Sequence, residues 1–416
     1  MVAADVQLEK LRALLSAILP ANSFHAERLR GTGLTPDVAS LGEFIERCPL
    51  TTKAELVADQ RSHPPYGSNR SEPISGYTRF CQTSGTTAQP LSILDTASSW
   101  DWMLDNWAQI YAAAGVSPGD SVYFAFSFGP FLGFWTAFEA AAKCGFRCLP
   151  GGGLSSTGRL RAMIRHRPQV LCCTPTYALH LAEVAEKEGI DPGETGLKKI
   201  IVAGEPGGGI PSVRNRIQGL WNGAAVLDHY GMTEVGPVAY ERLGEPGLLR
   251  IIESSYFAEI IDPQTAKPVD GVELGELVLT TLGRTACPLL RYRTGDLVRR
   301  APEEEGFVLA GGIMGRTDDM VVVRGVNIYP AAVDAVVRQL PEIGEYRVHV
   351  TQRGPMTELA LEVEAADNET IRQLERALTA AFTLRIPVER APDGTLPRFE
   401  LKARRWVTDE IRANNA

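Results

Sequence analysis

Apolar and polar positions along the first sixty residues repeat with a helical period. Leu8, Leu11, Leu14, Leu15 and Ile18 recur at i, i+3, i+4 spacing, and Pro20 and Pro49 break the run. Trp100–Ala114 reads as a helix ended at Gly115, and Val122–Phe126 as a buried strand. The alternation continues: a helix at Thr136–Cys144, a strand at Arg147–Pro150, a helix at Arg159–Arg167 and a strand at Val170–Cys173. Next come a helix at Tyr177–Glu188, a strand at Lys199–Ala203 and a helix around Val213–Trp221. Strand and helix at this spacing predict an α/β domain with mainly parallel sheets, whose ligands sit beyond the C-terminal strand ends. After Leu249 the pattern becomes β-rich, in short runs (Leu248–Ile252, Phe257–Ile261, Glu276–Leu282, Leu297–Arg300) separated by Gly, Pro and Asp. Beyond Asp318 a βαββα pattern predicts a small α+β domain of about 100 residues.

Composition narrows the picture. The chain has 416 residues and is 44% hydrophobic, enough for two or three domains. The net charge of −8, with scattered Lys and Arg, provides no attraction to nucleic acid or an anionic membrane. No 18-residue apolar run and no secretory signal is found, and the seven cysteines form no CxxC. Reduced thiols in a cytoplasmic protein are the expectation.

Four segments carry candidate chemistry. Thr83-Ser84-Gly85-Thr86-Thr87-Ala88 combines a permissive glycine with hydroxyl donors, which suits a polyphosphate; it would equally suit an ordinary loop. Asp228-His229-Tyr230-Gly231-Met232-Thr233-Glu234 offers an aromatic face, a hydroxyl and a carboxylate, or else a buried tyrosine and a solvated glutamate at a helix start. Tyr292-Arg293-Thr294-Gly295-Asp296 ends in a carboxylate able to accept from two vicinal hydroxyls; Thr-Gly-Asp is also a common turn. Gly315-Arg316-Thr317-Asp318-Asp319 leads to Arg324-Gly325-Val326-Asn327. Arg291 and Arg293 read as structural ion-pair partners.

In this order, with Lys402 near the end, the segments resemble the adenylate-forming superfamily of acyl- and aryl-CoA ligases. The narrower resemblance, to the phenylacetate-CoA ligase family, is carried by Phe128-Gly129-Pro130, Thr174-Pro175-Thr176-Tyr177-Ala178, Gly204-Glu205-Pro206, Pro288–Thr294 and Asp318-Asp319-Met320. The resemblance implies residues 1–317 as the domain binding ATP and acid, and residues 318–416 as a mobile domain with Asp318 as hinge. It also implies an ATP-dependent aryl-CoA ligase using Mg²⁺ and CoA. Thr83, Ser84, Gly85, Thr86 and Thr87 would then hold phosphate. Gly204, Glu205, Pro206, His229, Tyr230 and Gly231 would lie at adenine, with Tyr230 stacked on it. Thr233 would meet the α-phosphate and Glu234 would hold Mg²⁺. Asp296 would take the ribose, Arg316 would contact ribose or phosphate, Gly325 would admit a pantetheine arm, and Lys402 would be the catalytic cation.

Two stretches depart from the family pattern. Ala88 and Gln89 stand where Gly and Lys are usual, and Leu401 stands where a Gly precedes the lysine. The Cys and His ligands that hold a structural zinc in some relatives are missing from Tyr240–Ile251 and Arg299–Gly315, so zinc is expected to be absent. Phe126, Phe131, Phe134, Trp135 and Phe138 lie where the family builds its acyl pocket, although such a run is also plain core. Gly129, Pro130 and Gly133 argue for an irregular wall suited to a flat aromatic acid, with His229 as a polar partner for a substituent. Two further readings stand beside the ligase: a stand-alone adenylating enzyme loading a carrier protein or amine, and a nucleotide-binding homologue without catalysis. A homodimer is left open.

Overall fold

Alternate residues of the parallel strands face two different cores. The structure, a computed structural model, describes residues 3–83, 90–269, 272–324, 326–353, 356–399 and 403–409. An eight-stranded sheet runs in the order Val308–Ala310, Leu248–Ile251, Gly236–Tyr240, Ala225–Met232, Lys199–Val202, Val170–Cys173, Ser121–Phe124, Arg147–Pro150. The last five of these strands are parallel and the first three antiparallel. Val122, Phe124, Val170, Cys172 and Ile201 pack with Trp100, Trp107, Ile110, Ala137 and Ala140 of the helices Ala97–Ala113 and Leu132–Lys143. Tyr123, Leu171, Cys173, Ile200 and Val202 pack on the opposite face with Leu160, Met163, Tyr177, Leu181 and Ile217. Those residues belong to Ser156–His166, Pro175–Lys187 and Pro211–Leu220. A sheet covered on both faces needs strands apolar at every position, which is why these read as continuous runs.

The β-rich part is an antiparallel sheet in the order Tyr256–Ile261, Leu274–Thr281, Tyr292–Arg299, Gly315–Arg316. The C-terminal part has its own core, including Val323, Ile328, Val348, Leu361, Leu374 and Phe382. Its sheet orders Val388–Ala391, Met356–Ala365, Ile343–Arg353 and Trp406–Asp409, with the helices Pro330–Val337 and Asn368–Phe382.

Four local expectations change. The strand predicted over Val122–Phe126 ends at Phe124, and Gly133 lies inside the helix Leu132–Lys143. The irregular wall is therefore confined to residues 125–131. Thr294-Gly295-Asp296 is strand and not turn: the pairing with Leu274–Thr281 shifts register between Glu276 and Val278, and Gly295 takes φ 76°. A bulge of this kind needs a residue free to adopt positive φ. Glu234 is buried in the connection between two antiparallel strands, so it is neither solvated nor at a helix start.

Candidate active site

The predicted ribose carboxylate sits at a three-way junction. The Tyr230 hydroxyl donates to Asp296 Oδ2 at 2.6 Å, and Arg316 Nη1 donates to Asp296 Oδ1 at 2.9 Å. An ionised carboxylate offers about four lone-pair sites, which is the capacity a diol acceptor needs. Burial, and then the Asp296 charge, raise the Tyr230 pKa well above its ordinary value; the phenol keeps its proton and donates. Arg316 also grips Asp318, at 2.8 Å from Nε and 3.2 Å from Nη2, although the Asp318 side chain is 66% exposed. Burial works against the Arg316 charge, but Asp296 and Asp318 outweigh it and hold its pKa above that of an ordinary arginine. One guanidinium thus joins the expected ribose carboxylate to the expected hinge.

The expected phosphate side is assembled from distant segments. Thr83 and Leu91 close the base of a hairpin, through Thr83 N to Leu91 O and Leu91 N to Thr83 Oγ1, both 3.0 Å. Its strands are Tyr77–Gln82 and Ser92–Thr96. Ser84, Gly85, Thr86, Thr87, Ala88 and Gln89 lie outside the described residues, as do Gly325, Leu401 and Lys402. Glu234 meets the Lys53 ammonium at 3.1 Å and accepts from the Tyr292 hydroxyl at 3.5 Å. Thr233 is half-buried beside it.

Sequence reading did not single out Lys53, which is the first residue of the helix Lys53–Ser62. A capping box sets that helix: the Thr52 side chain accepts from Glu55 N, and the Glu55 carboxylate accepts from Thr52 N at 2.7 Å. Gln60 then clamps the helix to the hairpin, donating to Ser92 O at 2.6 Å and accepting from Ser92 N at 3.0 Å. The T-x-x-E pattern Thr52-Lys53-Ala54-Glu55 was the available signal for the helix start. Nothing local signals the pairing with a glutamate 181 positions later.

Gly204 and Pro206 are exposed at the C-terminal end of Lys199–Val202, where a planar base could lie against them. The Glu205 carboxylate faces elsewhere, accepting from Thr176 N and from Ala403 N, each at 2.9 Å. Ala403 adjoins Lys402 in sequence, so this bond fixes the C-terminal segment against the Gly204–Pro206 loop. Further contacts join the two parts: Arg398 to Glu183 at 3.0 Å, Ser212 Oγ to Ala335 O at 3.0 Å, and Arg216 Nη1 to Ile343 O at 3.0 Å. Gly231 is held against Gly236, whose carbonyl a Cβ would meet at 2.8 Å. Beside the loop Asp228 is buried; desolvation and the neighbouring Glu241 push its pKa up to about 8.

The acid side is different in kind. Phe126 and Phe134 stack at 4.2 Å, Phe131 meets Phe134 at 5.9 Å, and Phe128 joins Trp135 at 4.8 Å and Phe138 at 5.4 Å. Trp135 is 39% exposed and donates to Gly129 O at 2.8 Å. The cluster touches the phosphate hairpin where Gln82 N donates to Pro130 O at 2.8 Å. His229 lies against Trp107 at 4.4 Å, and its Nδ1 stands 2.9 Å from Ala239 O. Burial lowers its pKa to about 4, so the ring is neutral; Nδ1 carries the proton to the carbonyl and leaves Nε2 as an acceptor. Arg291 and Arg293 pair with Glu259 at 2.9 Å and Glu276 at 2.5 Å, the structural role expected of them. Among the described residues no group of three or more His, Cys, Asp and Glu could hold a metal ion, and no helix is long and apolar enough to cross a membrane.

Comparison with known proteins accounts for this arrangement. The AMP-binding enzyme model matches residues 54–284, and the model for the AMP-binding enzyme C-terminal domain matches residues 325–410. The phenylacetate-coenzyme A ligase of Thermus thermophilus is 33% identical over 370 residues, 87% of this chain and 81% of that protein. The enzyme of the same name from Pseudomonas putida is 31% identical over 95% of this chain and 92% of that protein. A 2-hydroxyisobutyryl-CoA ligase in its postadenylation state, bound to 2-HIB-AMP, superposes with a TM-score of 0.92 at 29% identity, covering 98% of this chain and 89% of that one. The same ligase in its thioesterification state, with CoA, gives only 0.73 over the same shares. The two parts of this chain are therefore arranged as in the postadenylation state. The chain belongs to the AMP-binding enzyme family and, within it, to the phenylacetate-coenzyme A ligases, AMP-forming acid–thiol ligases that work with ATP, Mg²⁺ and CoA.

Proposed function

We propose that this chain activates an aromatic carboxylic acid as its acyl adenylate and transfers the acyl group to CoA. The observation that carries the nucleotide half is the Tyr230–Asp296–Arg316 junction, which presents a ribose-sized acceptor next to an aromatic ring. In the first step a carboxylate oxygen of the acid bonds to the α-phosphorus of ATP, and the bond to the bridging oxygen of pyrophosphate breaks. In the second, the CoA sulfur bonds to the acyl carbon and AMP leaves. The first step demands positioning and charge neutralisation, not covalent chemistry from the protein.

Tyr230 and the Gly204–Pro206 loop enclose adenine, Asp296 accepts from the ribose hydroxyls, and Thr233 meets the α-phosphate. Glu234 suits Mg²⁺, a hard cation that prefers oxygen ligands, and that ion would neutralise charge on the leaving pyrophosphate. Lys53, already against Glu234, supplies cationic charge where Gln89 does not. Lys402 neutralises the transition state, Gly325 admits the pantetheine arm, and residues 318–416 rotate about Asp318 between steps. The acid sits among Phe126, Phe131, Phe134, Trp135 and Phe138; burying a ring there is worth roughly 25 cal/mol per Å² of apolar area.

A carrier-protein thiol or an amine is the alternative acceptor, and a homodimer the alternative to a monomer. The test is pyrophosphate release over benzoates, phenylacetates and heteroaryl acids, with CoA or a phosphopantetheinylated carrier as acceptor. Release without any acyl transfer to CoA sinks the CoA assignment; no release with any acid sinks the catalytic reading.

A further inference from the structure

Arg284 is fully buried, at 0% exposure, and its partner Asp95 is 1% exposed. Nε donates to Asp95 Oδ1 at 2.7 Å and Nη2 to Oδ2 at 2.5 Å. The third nitrogen, Nη1, donates to the carbonyl of Glu234 at 2.7 Å and to that of Thr233 at 3.4 Å. Asp95 belongs to Ser92–Thr96, the second strand of the phosphate hairpin, where it faces Arg79. One guanidinium therefore spans the two segments that must meet at the phosphates: the hairpin, and the connection carrying Thr233 and Glu234. Its own place is set by close packing. A Cβ on Gly283 would collide with the Trp102 indole, and Ala286 N donates to Ser99 Oγ at 3.3 Å, so this stretch lies hard against the helix Ala97–Ala113.

Neither charge reaches solvent, so neither can touch a nucleotide. A buried ion pair is also a poor source of net stability, since desolvation offsets much of the attraction, and hydrophobic pairs of similar volume often replace it without loss. What a hydrophobic pair cannot reproduce is a planar fork aimed at one carboxylate and two carbonyls. We infer that Arg284, held by Asp95, is a positioning residue for adenylation: it sets the phosphate hairpin against the Thr233–Glu234 connection. The inference rests on the adenylating function proposed above. It predicts an effect on the step that uses MgATP and little on the step that uses CoA. A misplacement of about 1 Å in reacting groups can cost about 10²-fold in rate.

The experiment compares wild type, Arg284→Lys and the double variant Arg284→Met/Asp95→Leu. Four quantities are read: thermal midpoint, MgATP affinity by calorimetry, kcat/KM for MgATP in acid-dependent pyrophosphate release, and CoA ester formation from chemically supplied acyl adenylate. The double variant should melt near wild type and form CoA ester within about twofold of it. Its kcat/KM for MgATP should fall about 10²-fold with weakened MgATP binding, since the fork is gone. Arg284→Lys keeps the charge without the fork and should show the same split, which decides the matter if the double variant does not fold. Wild-type MgATP kinetics in whichever variant folds, or equal losses in both half-reactions, overturn the inference. If wild type releases no pyrophosphate with any acid, the ligase reading fails; MgATP affinity then decides the positioning role alone, and an affinity unchanged from wild type overturns it.

Discussion

The proposed nucleotide side and the proposed acid side of this site are built on opposite principles. Around Asp296, Glu234 and Arg284 the contacts are directed hydrogen bonds and ion pairs, and the partners come from segments far apart in sequence. Around Phe126 and Phe134 the contacts are ring on ring, with Trp135 open to solvent. Directed bonds hold a fixed ligand such as ATP in one geometry. Aromatic packing favours offset-stacked or edge-to-face rings, worth about 0.5–1.5 kcal/mol a pair, and carries no polar group that would fix a ligand's orientation. On the function proposed here, the first region would set the chemistry and the second the choice of acid.

Substitutions should separate the two. The largest effect is expected for Lys402→Ala: adenylation should fall by about 10²–10³-fold, as when a single transition-state donor is removed, while thioester formation from supplied adenylate is spared. Equal losses in both half-reactions would deny Lys402 that role. Asp296→Asn should come next. It replaces a charged acceptor by one oxygen and one amide, a loss of about 1.5–3 kcal/mol, or roughly 10–10²-fold in kcat/KM for ATP, with the acid's KM little changed. A matching rise in the acid's KM would mean that the two regions are not separable there. Phe134→Ala removes the stack on Phe126, worth about 0.5–1.5 kcal/mol beyond area burial. The ranking of acids by kcat/KM should change while the KM for MgATP stays, and an unchanged ranking would place acid selection elsewhere.

The smallest effect in wild type lies at the boundary between the regions. Asp228 and His229 are neighbours on one strand, and their pKa values move in opposite senses. Burial lowers His229 to about 4 from 6.5, so the unfolded chain binds more protons below pH 6.5 and the folded state loses stability as pH falls toward 4. Asp228 is raised to about 8 from 3.8, so the folded chain binds more protons and stability is lost as pH rises from 4 to 8. From pH 4 to 6.5 the two slopes cancel. Asp228→Asn should expose the acid-side loss, up to about 3 kcal/mol at pH 4, and His229→Gln should expose the opposite slope. Melting profiles with the same slope in both variants would contradict these assignments.

The parallel core was legible because strands buried on both faces carry apolar residues at every position, as Val170–Cys173 does without interruption. The motifs around Tyr230, Asp296 and Arg316 were legible because each is a short run of chemically distinctive residues in a fixed order. Their geometry was not: Thr-Gly-Asp is also a common turn, and only pairing with Leu274–Thr281 makes Thr294-Gly295-Asp296 a bulged strand. Long-range partnerships left no local trace. Lys53 and Arg284 are ordinary in their own surroundings, and they acquire meaning when folding brings them to Glu234. The aromatic run was visible as composition alone, and Gly133 misled because a glycine in the first turn of a helix looks like an interruption.

The central claim is that the nucleotide region drives adenylation of an aromatic acid. It is tested most directly by kcat/KM for acid-dependent pyrophosphate release, measured with benzoate and phenylacetate against acetate, octanoate and 2-hydroxyisobutyrate, with Mg²⁺ and CoA present. The account predicts ATP- and Mg²⁺-dependent release, formation of the CoA ester, and a preference for an aromatic acid over each aliphatic one. A preference for any aliphatic acid would contradict the aromatic assignment, and no release with any acid would contradict the ligase itself.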